Sequence, residues 1–224
     1  MPSAIVAGAS GLVGERLLRR LLAGGSYDRV IAFVRGPVNL THKRLEQRTV
    51  DYERMGRMSA FPRADDVFCC LGTTIRKAGS PEAFHKVDVG YVARLAEVSV
   101  RAGSAQFLLV SAVGASAQSG NFYLRCKGEA EDMVRTLPYR GVQIFRPSFL
   151  IGHRRERRAG EAVGVALARV LSVAMLGPAA RYRPIRADDV AKAMVAVAKE
   201  APPGIHVYET KAMQALADDD AASI

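Results

Sequence analysis

The stretch AIVAGASGLVGERLL, residues 4–18, restricts the fold more than any other part of the chain. It spaces Gly8, Gly11 and Gly14 three residues apart, between an apolar strand pattern and a helical pattern that puts Leu17, Leu18, Leu21 and Leu22 on one face. Glycines so placed permit a tight turn, close approach of backbone to a pyrophosphate and close packing of helix on strand, and the helix N-terminus offers free N–H groups to phosphates. A lone glycine triplet is weak evidence; a preceding strand and a following amphipathic helix give it force. The reading is a dinucleotide-binding loop made of Gly8, Ser10, Gly11, Leu12, Val13 and Gly14.

The rest of the chain keeps the same alternation. RVIAFVR, RTVDY, DVFCCLG, AQFLLVSAVGA and VQIFRPSFL read as further strands, and PEAFHKVDVGYVARLAEVSVRAG (81–103) reads as one long helix with proline at its start and glycine past its end. Strands separated by helices require crossover connections, so the expected fold is α/β, a doubly wound parallel sheet in a single domain over 1–224. From about 150 to 210 the alternation breaks. That region is expected to form a small C-terminal substrate lobe: an arginine-rich loop, an apolar helix, the helix RYRPIRADDVAKAMVAVAKE with ADD capping it, and a last strand IHVYET. The ending ALADDDAASI reads as a frayed tail.

Composition narrows the function classes. The 224 residues carry 32 basic and 22 acidic side chains, a formal charge of +10. One dense basic run, HRRERR at 153–158, lacks interleaved aromatics, and no helix-turn-helix or zinc-finger pattern is present, so no nucleic-acid partner is expected. Solvated arginines or a phosphate-bearing small-molecule ligand account for the charge. Three cysteines argue against a secreted disulfide framework, and the adjacent Cys69 and Cys70 lack the spacing of a metal site. The longest apolar stretch, 162–176, is too short to span a bilayer and contains Arg169; it reads as a pocket lining or as a homodimer contact. With no secretory signal ahead of the first strand, the expected location is cytoplasmic.

Two positions bear on chemistry. Arg35 ends the second strand pattern 21 residues past Gly14, where an acid would bind the ribose diol of NAD and an arginine suits the 2′-phosphate of NADP. Lys43 and Arg44 follow nearby, so NADP is expected, with NAD as the alternative. Tyr123 and Lys127 in SGNFYLRCKGEAE lie four residues apart, on one helical face. A free phenol is a poor base at neutral pH, and an ammonium a few ångströms away favours its ionised form. The spacing alone leaves both readings open, an acid/base couple or a solvated helix face.

GASGLVG, FCCLGTT, KVDVGYV, LLVSAVGA, FYLRCKGEAE and FRPSFLIG, in that order over residues 3–152, resemble the atypical short-chain dehydrogenase/reductases. This is an NAD(P)-binding Rossmann group that includes epimerase/dehydratase-like enzymes, and the chain is most similar to its HIV Tat-interacting, tumour-suppressor-like branch. RPIRADDVAKAM extends the likeness more loosely. The resemblance implies a Rossmann fold with Ser111 holding a substrate oxygen, Tyr123 as acid/base and Lys127 as its partner, which also contacts the nicotinamide ribose. It further implies Asp51 near the adenine, Leu71, Gly72 and Thr73 beside the ribose, and Pro147, Ser148 and Phe149 at the nicotinamide. DVGYVARLAE departs from the pattern NVxGTxxLLEA of extended relatives by Asp88, where asparagine is usual, which puts turnover in question. His85 and His153 read as structural or exposed, and Cys126 as facing away from the pair.

The resulting expectation is an NADP-dependent oxidoreductase acting on a carbonyl or alcohol. A cofactor-binding regulator or scaffold with little turnover stands as the alternative, and a nucleotide-sugar epimerase or dehydratase as a third reading.

Overall fold

The computed structural model describes residues 1–57, 60–152 and 181–222. Seven strands form one wholly parallel sheet: β1 (Ser3–Ala7), β2 (Arg29–Val34), β3 (Leu45–Thr49), β4 (Asp66–Cys69), β5 (Gln106–Val110), β6 (Gly141–Arg146) and β9 (Gly204–Glu209). Their order is β3-β2-β1-β4-β5-β6-β9. The registers pair Ile5 with Ile31 and Val67, and Leu109 with Ile144, so the central strands are apolar on both faces. That is why they read as continuous hydrophobic runs rather than alternating ones. The third strand lies three residues earlier than RTVDY, at LEQRT, because an edge strand with half its side chains in water has little apolar signal.

Helices cover both faces. On one side α1 (Leu12–Gly24), α6 (Ala187–Glu200) and α7 (Thr210–Ala222) bury Leu17, Leu21, Val190, Met194 and Met213 against Val6, Ala32 and Leu108. Arg20 on α1 donates two hydrogen bonds to Asp188 on α6, at 3.0 and 2.6 Å. On the other side α4 (Val92–Arg101) and α5 (Phe122–Arg135) pack Leu95, Ala130 and Val134 on Ile5, Phe107 and Ile144.

Three expectations change. The stretch 81–103 is not a uniform helix: α3 (Pro81–His85) runs into a π-helical turn, Lys86–Tyr91, before α4 begins, and a four-residue α2 (Ile75–Ala78) precedes it. The acidic ending is not frayed, since α7 runs to Ala222 with Met213 and Ala217 buried one turn apart. The N-cap of α6 is Arg186 without a side-chain cap, and Asp188 and Asp189 stand in the first turn instead. In the C-terminal region β9 extends the main sheet, while β7 (Leu150–Ile151) and β8 (Ile185–Arg186) pair as a separate small ribbon. The apolar helix expected at 162–176, the HRRERR run and His153 lie outside the described residues. Among the described residues no helix is long and apolar enough to cross a membrane.

Candidate active site

Because the sheet is parallel, the carboxyl ends of its strands open on one side, and strand order reverses between β1 and β4. Ligands of such sheets bind outside that crevice. The glycine loop lies there. Gly8 has φ of 80°, and a Cβ on it would collide with the Cys70 carbonyl next door. A Cβ on Gly14 would collide with the Gly8 carbonyl, so this glycine lets α1 sit directly on the loop. Both glycines are therefore demanded by the fold itself. Gly11 differs: its φ is −79°, it is exposed, and as N-cap of α1 it gives no side-chain cap to the helix N–H groups. Ser10 is exposed beside it, with Leu12 half-buried and Val13 buried behind. An exposed glycine over an uncapped helix N-terminus fits a pyrophosphate. Gly8, Ser10, Gly11, Leu12, Val13 and Gly14 would hold it.

Arg35, one residue past β2, is exposed and has no hydrogen bond or ion pair to a described residue. Asp51 is exposed after β3, accepts from the Glu53 N–H at 2.9 Å and lies 3.6 Å from Arg54. Leu71, Gly72 and Thr73 follow β4 after Cys70.

The tyrosine–lysine pair stands on α5. Asn121 starts this helix by accepting from the Leu124 N–H at 3.1 Å. Gly128 brings it so close to the preceding loop that any Cβ there would collide with the backbone of Ser116 and Ala117. Tyr123 is 39% exposed at the rim, its ring 6.0 Å from that of Phe84. One turn below, Lys127 is buried and places Nζ 6.0 Å from the centre of the Tyr123 ring. Nζ also lies 2.8 Å from Oδ1 of Asp88, a carboxylate only 1% exposed on the π-turn. Burial pulls the Lys127 ammonium down, and Asp88, aided by Tyr123 and Cys69, more than offsets this, so its pKa stands above the ordinary lysine value.

Ser111 follows β5, but its buried hydroxyl donates to Oε1 of Glu131 at 2.5 Å. Glu131 is itself buried and accepts from Arg146 at 2.9 and 2.5 Å, with Arg135 at 3.5 Å. Ser111 and Tyr123 share no hydrogen bond among the described residues. Pro147 is buried and its carbonyl accepts from the Val113 N–H at 3.0 Å. Ser148 donates to the Arg183 carbonyl, and Phe149 is 73% exposed. The structure thus brings Tyr123, Lys127, Gly72 and Thr73 together, and places Ser111 in a second, buried cluster.

Glu131 and Arg146 were not singled out from the sequence. The available signal was spacing: Tyr123, Lys127 and Glu131 fall at i, i+4 and i+8, one stripe of α5. Cys126 is buried against Phe84 and Val89, and burial pushes its thiol up. Cys69, under the site, is pushed up to about 12 by burial. His85 pairs with Glu129 at 2.8 Å on the surface.

Comparisons with known proteins bear on the family and the fold. Residues 4–208 match the NAD dependent epimerase/dehydratase family. Protein HTATIP2 of Rattus norvegicus is 37% identical over 163 residues, 71% of this chain and 67% of that protein. Among solved structures, the Bordetella bronchiseptica enzyme WbmH in complex with NAD+ superposes with a TM-score of 0.70 at 14% identity, covering 100% of this chain and 82% of that one. The human epimerase family protein SDR39U1 (isoform 2) with NADPH gives 0.64 at 16% identity, covering 92% and 74%. At those identities the two structures speak for the Rossmann-like fold alone. The chain belongs to the NAD dependent epimerase/dehydratase family.

Proposed function

We propose that the protein is an NADP-dependent oxidoreductase of atypical short-chain dehydrogenase/reductase type, acting on a carbonyl or the corresponding alcohol. The observation that carries this reading is the buried Lys127 ammonium one turn beneath the half-exposed Tyr123 ring, at the carboxyl edge of the sheet. Tyr123 is the acid/base: in reduction its hydroxyl gives the proton to the substrate oxygen, and in oxidation its phenolate takes it. Lys127, buried one turn below, donates to the ribose of the cofactor. When bound, the nicotinamide supplies or accepts the hydride. Leu71–Thr73, Asp51, and Pro147, Ser148 and Phe149 follow the carboxyl ends of β4, β3 and β6, and would serve the ribose, the adenine and the nicotinamide respectively. Arg35, exposed and with no ion pair among the described residues, is the donor for a 2′-phosphate. Cys69, Cys70 and Cys126 are free thiols, which suits the reducing cytoplasm.

One observation favours a cofactor-binding regulator with little turnover. Ser111 is already engaged by Glu131 and Lys127 by Asp88, so two of the three expected active-site groups have buried partners. The deciding experiment is titration with NADPH and NADH, followed by a screen of aldehydes, ketones and quinones for substrate-dependent loss of reduced nicotinamide. Tighter NADPH binding with turnover supports the oxidoreductase. Tight binding with no turnover across the panel supports the regulator.

A further inference from the structure

Asp88 occupies a place that the tyrosine–lysine chemistry alone does not explain. It lies in the one π-helical turn among the described residues, Lys86–Tyr91, between two stretches of ordinary helix. Such turns widen the helix locally and recur where a side chain must be re-aimed. Here the turn sends a 1% exposed carboxylate beneath the loop after β4. Its two oxygens do different work: Oδ2 accepts from the Thr73 N–H at 2.9 Å, and Oδ1 meets Lys127 Nζ at 2.8 Å. Gly72 roofs the pair. A Cβ there would stand 3.5 Å from Oδ1 and 3.6 Å from Nζ, and Gly72 itself is exposed. A ligand lying on Gly72 therefore reaches the ammonium past a residue with no side chain.

We propose that Asp88 is the positioning residue of this site, keeping Lys127 charged and aimed at the cofactor while fixing the Leu71–Thr73 loop to the same point. The proposal rests on the reading of Lys127 as a cofactor-binding residue. Burial disfavours an isolated ammonium, and buried lysines without a partner lose their proton far below the ordinary lysine range. Among the described residues, the groups acting on Nζ are Asp88 from the π-turn, Tyr123 from α5 and the Cys69 thiol at the end of β4. Glu131, one turn further along α5, is taken up by Arg146, Arg135 and Ser111. Asp88 is thus the carboxylate that holds the charge, which is the direction in which the Lys127 pKa is moved.

Asp88→Asn separates the two tasks, because an amide oxygen still accepts from Thr73 while the negative charge is gone. NADPH affinity is measured by fluorescence from pH 7 to 9.5 for wild type, Asp88→Asn, Asp88→Ala and Lys127→Met. Wild type is expected to hold its affinity across this range. Asp88→Asn should match wild type most nearly at pH 7 and lose about tenfold by pH 9.5, as Lys127 gives up its proton and its charge-assisted bond. Asp88→Ala should be weaker at every pH, since the loop is released as well. A merely structural Asp88 would lower affinity equally at all pH values, and that result overturns the proposal. Wild-type affinity in Lys127→Met would instead show that Lys127 does not touch the cofactor, which sinks the site reading beneath it. Should Asp88→Asn not fold, an NMR titration of the Lys127 side chain in wild type decides. An ammonium that stays protonated beyond pH 10 supports the anchor, and one that titrates below pH 9 refutes it.

Discussion

Removing the Ser111 hydroxyl separates two roles for that residue, and the structure sets the size of each. In Ser111→Ala the buried Glu131 carboxylate loses a donor at 2.5 Å but keeps the two bonds from Arg146. Hydrogen bonds to charged groups contribute about 1.5–3 kcal/mol, and because the guanidinium remains, a cost near the lower end, about 1–2 kcal/mol, is expected. For a chain of this size that is roughly 2–8 °C in Tm. Glu131→Ala should cost more, about 3–5 kcal/mol, because it leaves Arg146 without its carboxylate. Urea or thermal unfolding followed by circular dichroism measures both. The double variant should fall well short of the sum, since the two share one interaction. Full stability in Ser111→Ala together with a hundredfold loss of turnover would refute this assignment: the hydroxyl would then serve the substrate and not the core.

Three further outcomes follow from particular contacts. Arg35→Glu should weaken NADP binding by about 2–4 kcal/mol with little change for NAD, read by parallel titrations, because a charge-assisted donor becomes a repelling carboxylate. Gly11→Val should keep the fold with a small adjustment of the loop and lose cofactor binding, since its φ of −79° suits any residue and its Cβ would stand 3.1 Å from the Gly8 carbonyl, whereas Gly14→Ala should be unstable because its Cβ would stand 2.2 Å from that oxygen; circular dichroism and NADPH titration distinguish the two. Arg20, by hydrogen bonding, holds the Asp188 carboxyl below its usual range, so this pair stabilises the fold above the unfolded aspartate pKa near 4 and the contribution is lost as pH falls through the lower folded value. With both side chains about a third exposed it amounts to roughly 0.5–1 kcal/mol, and Arg20→Ala should remove that acid-side loss from the unfolding profile.

The sheet was legible because its central strands are buried on both faces and its glycine loop has a chemical reason for each spacing. Seven strand patterns in the sequence correspond to the seven strands, with only β3 displaced, where polar side chains such as Glu46 and Arg48 dilute the pattern. The π-turn was not legible: KVDVGY has the composition of ordinary helix, and one extra residue per turn leaves no trace in propensity. Tyr123 and Lys127 were readable because four residues on a helix fix their face without tertiary knowledge. Asp88 against Lys127, and Glu131 against Arg146, join residues 39 and 15 positions apart on different elements, so only the packed structure reveals those partners. Met213 and Ala217 escaped notice because the acids around them suggested a solvated tail.

The reading of the site as an oxidoreductase centre stands or falls on the Tyr123 hydroxyl. Once a substrate is found with NADPH, the decisive measurement is the single-turnover rate of Tyr123→Phe beside wild type, with NADPH affinity recorded on the same samples. The account predicts a loss on the order of a thousandfold in rate at unchanged cofactor affinity, the size expected for general acid–base catalysis. A wild-type rate in Tyr123→Phe would contradict it and reduce the pair to a helix face.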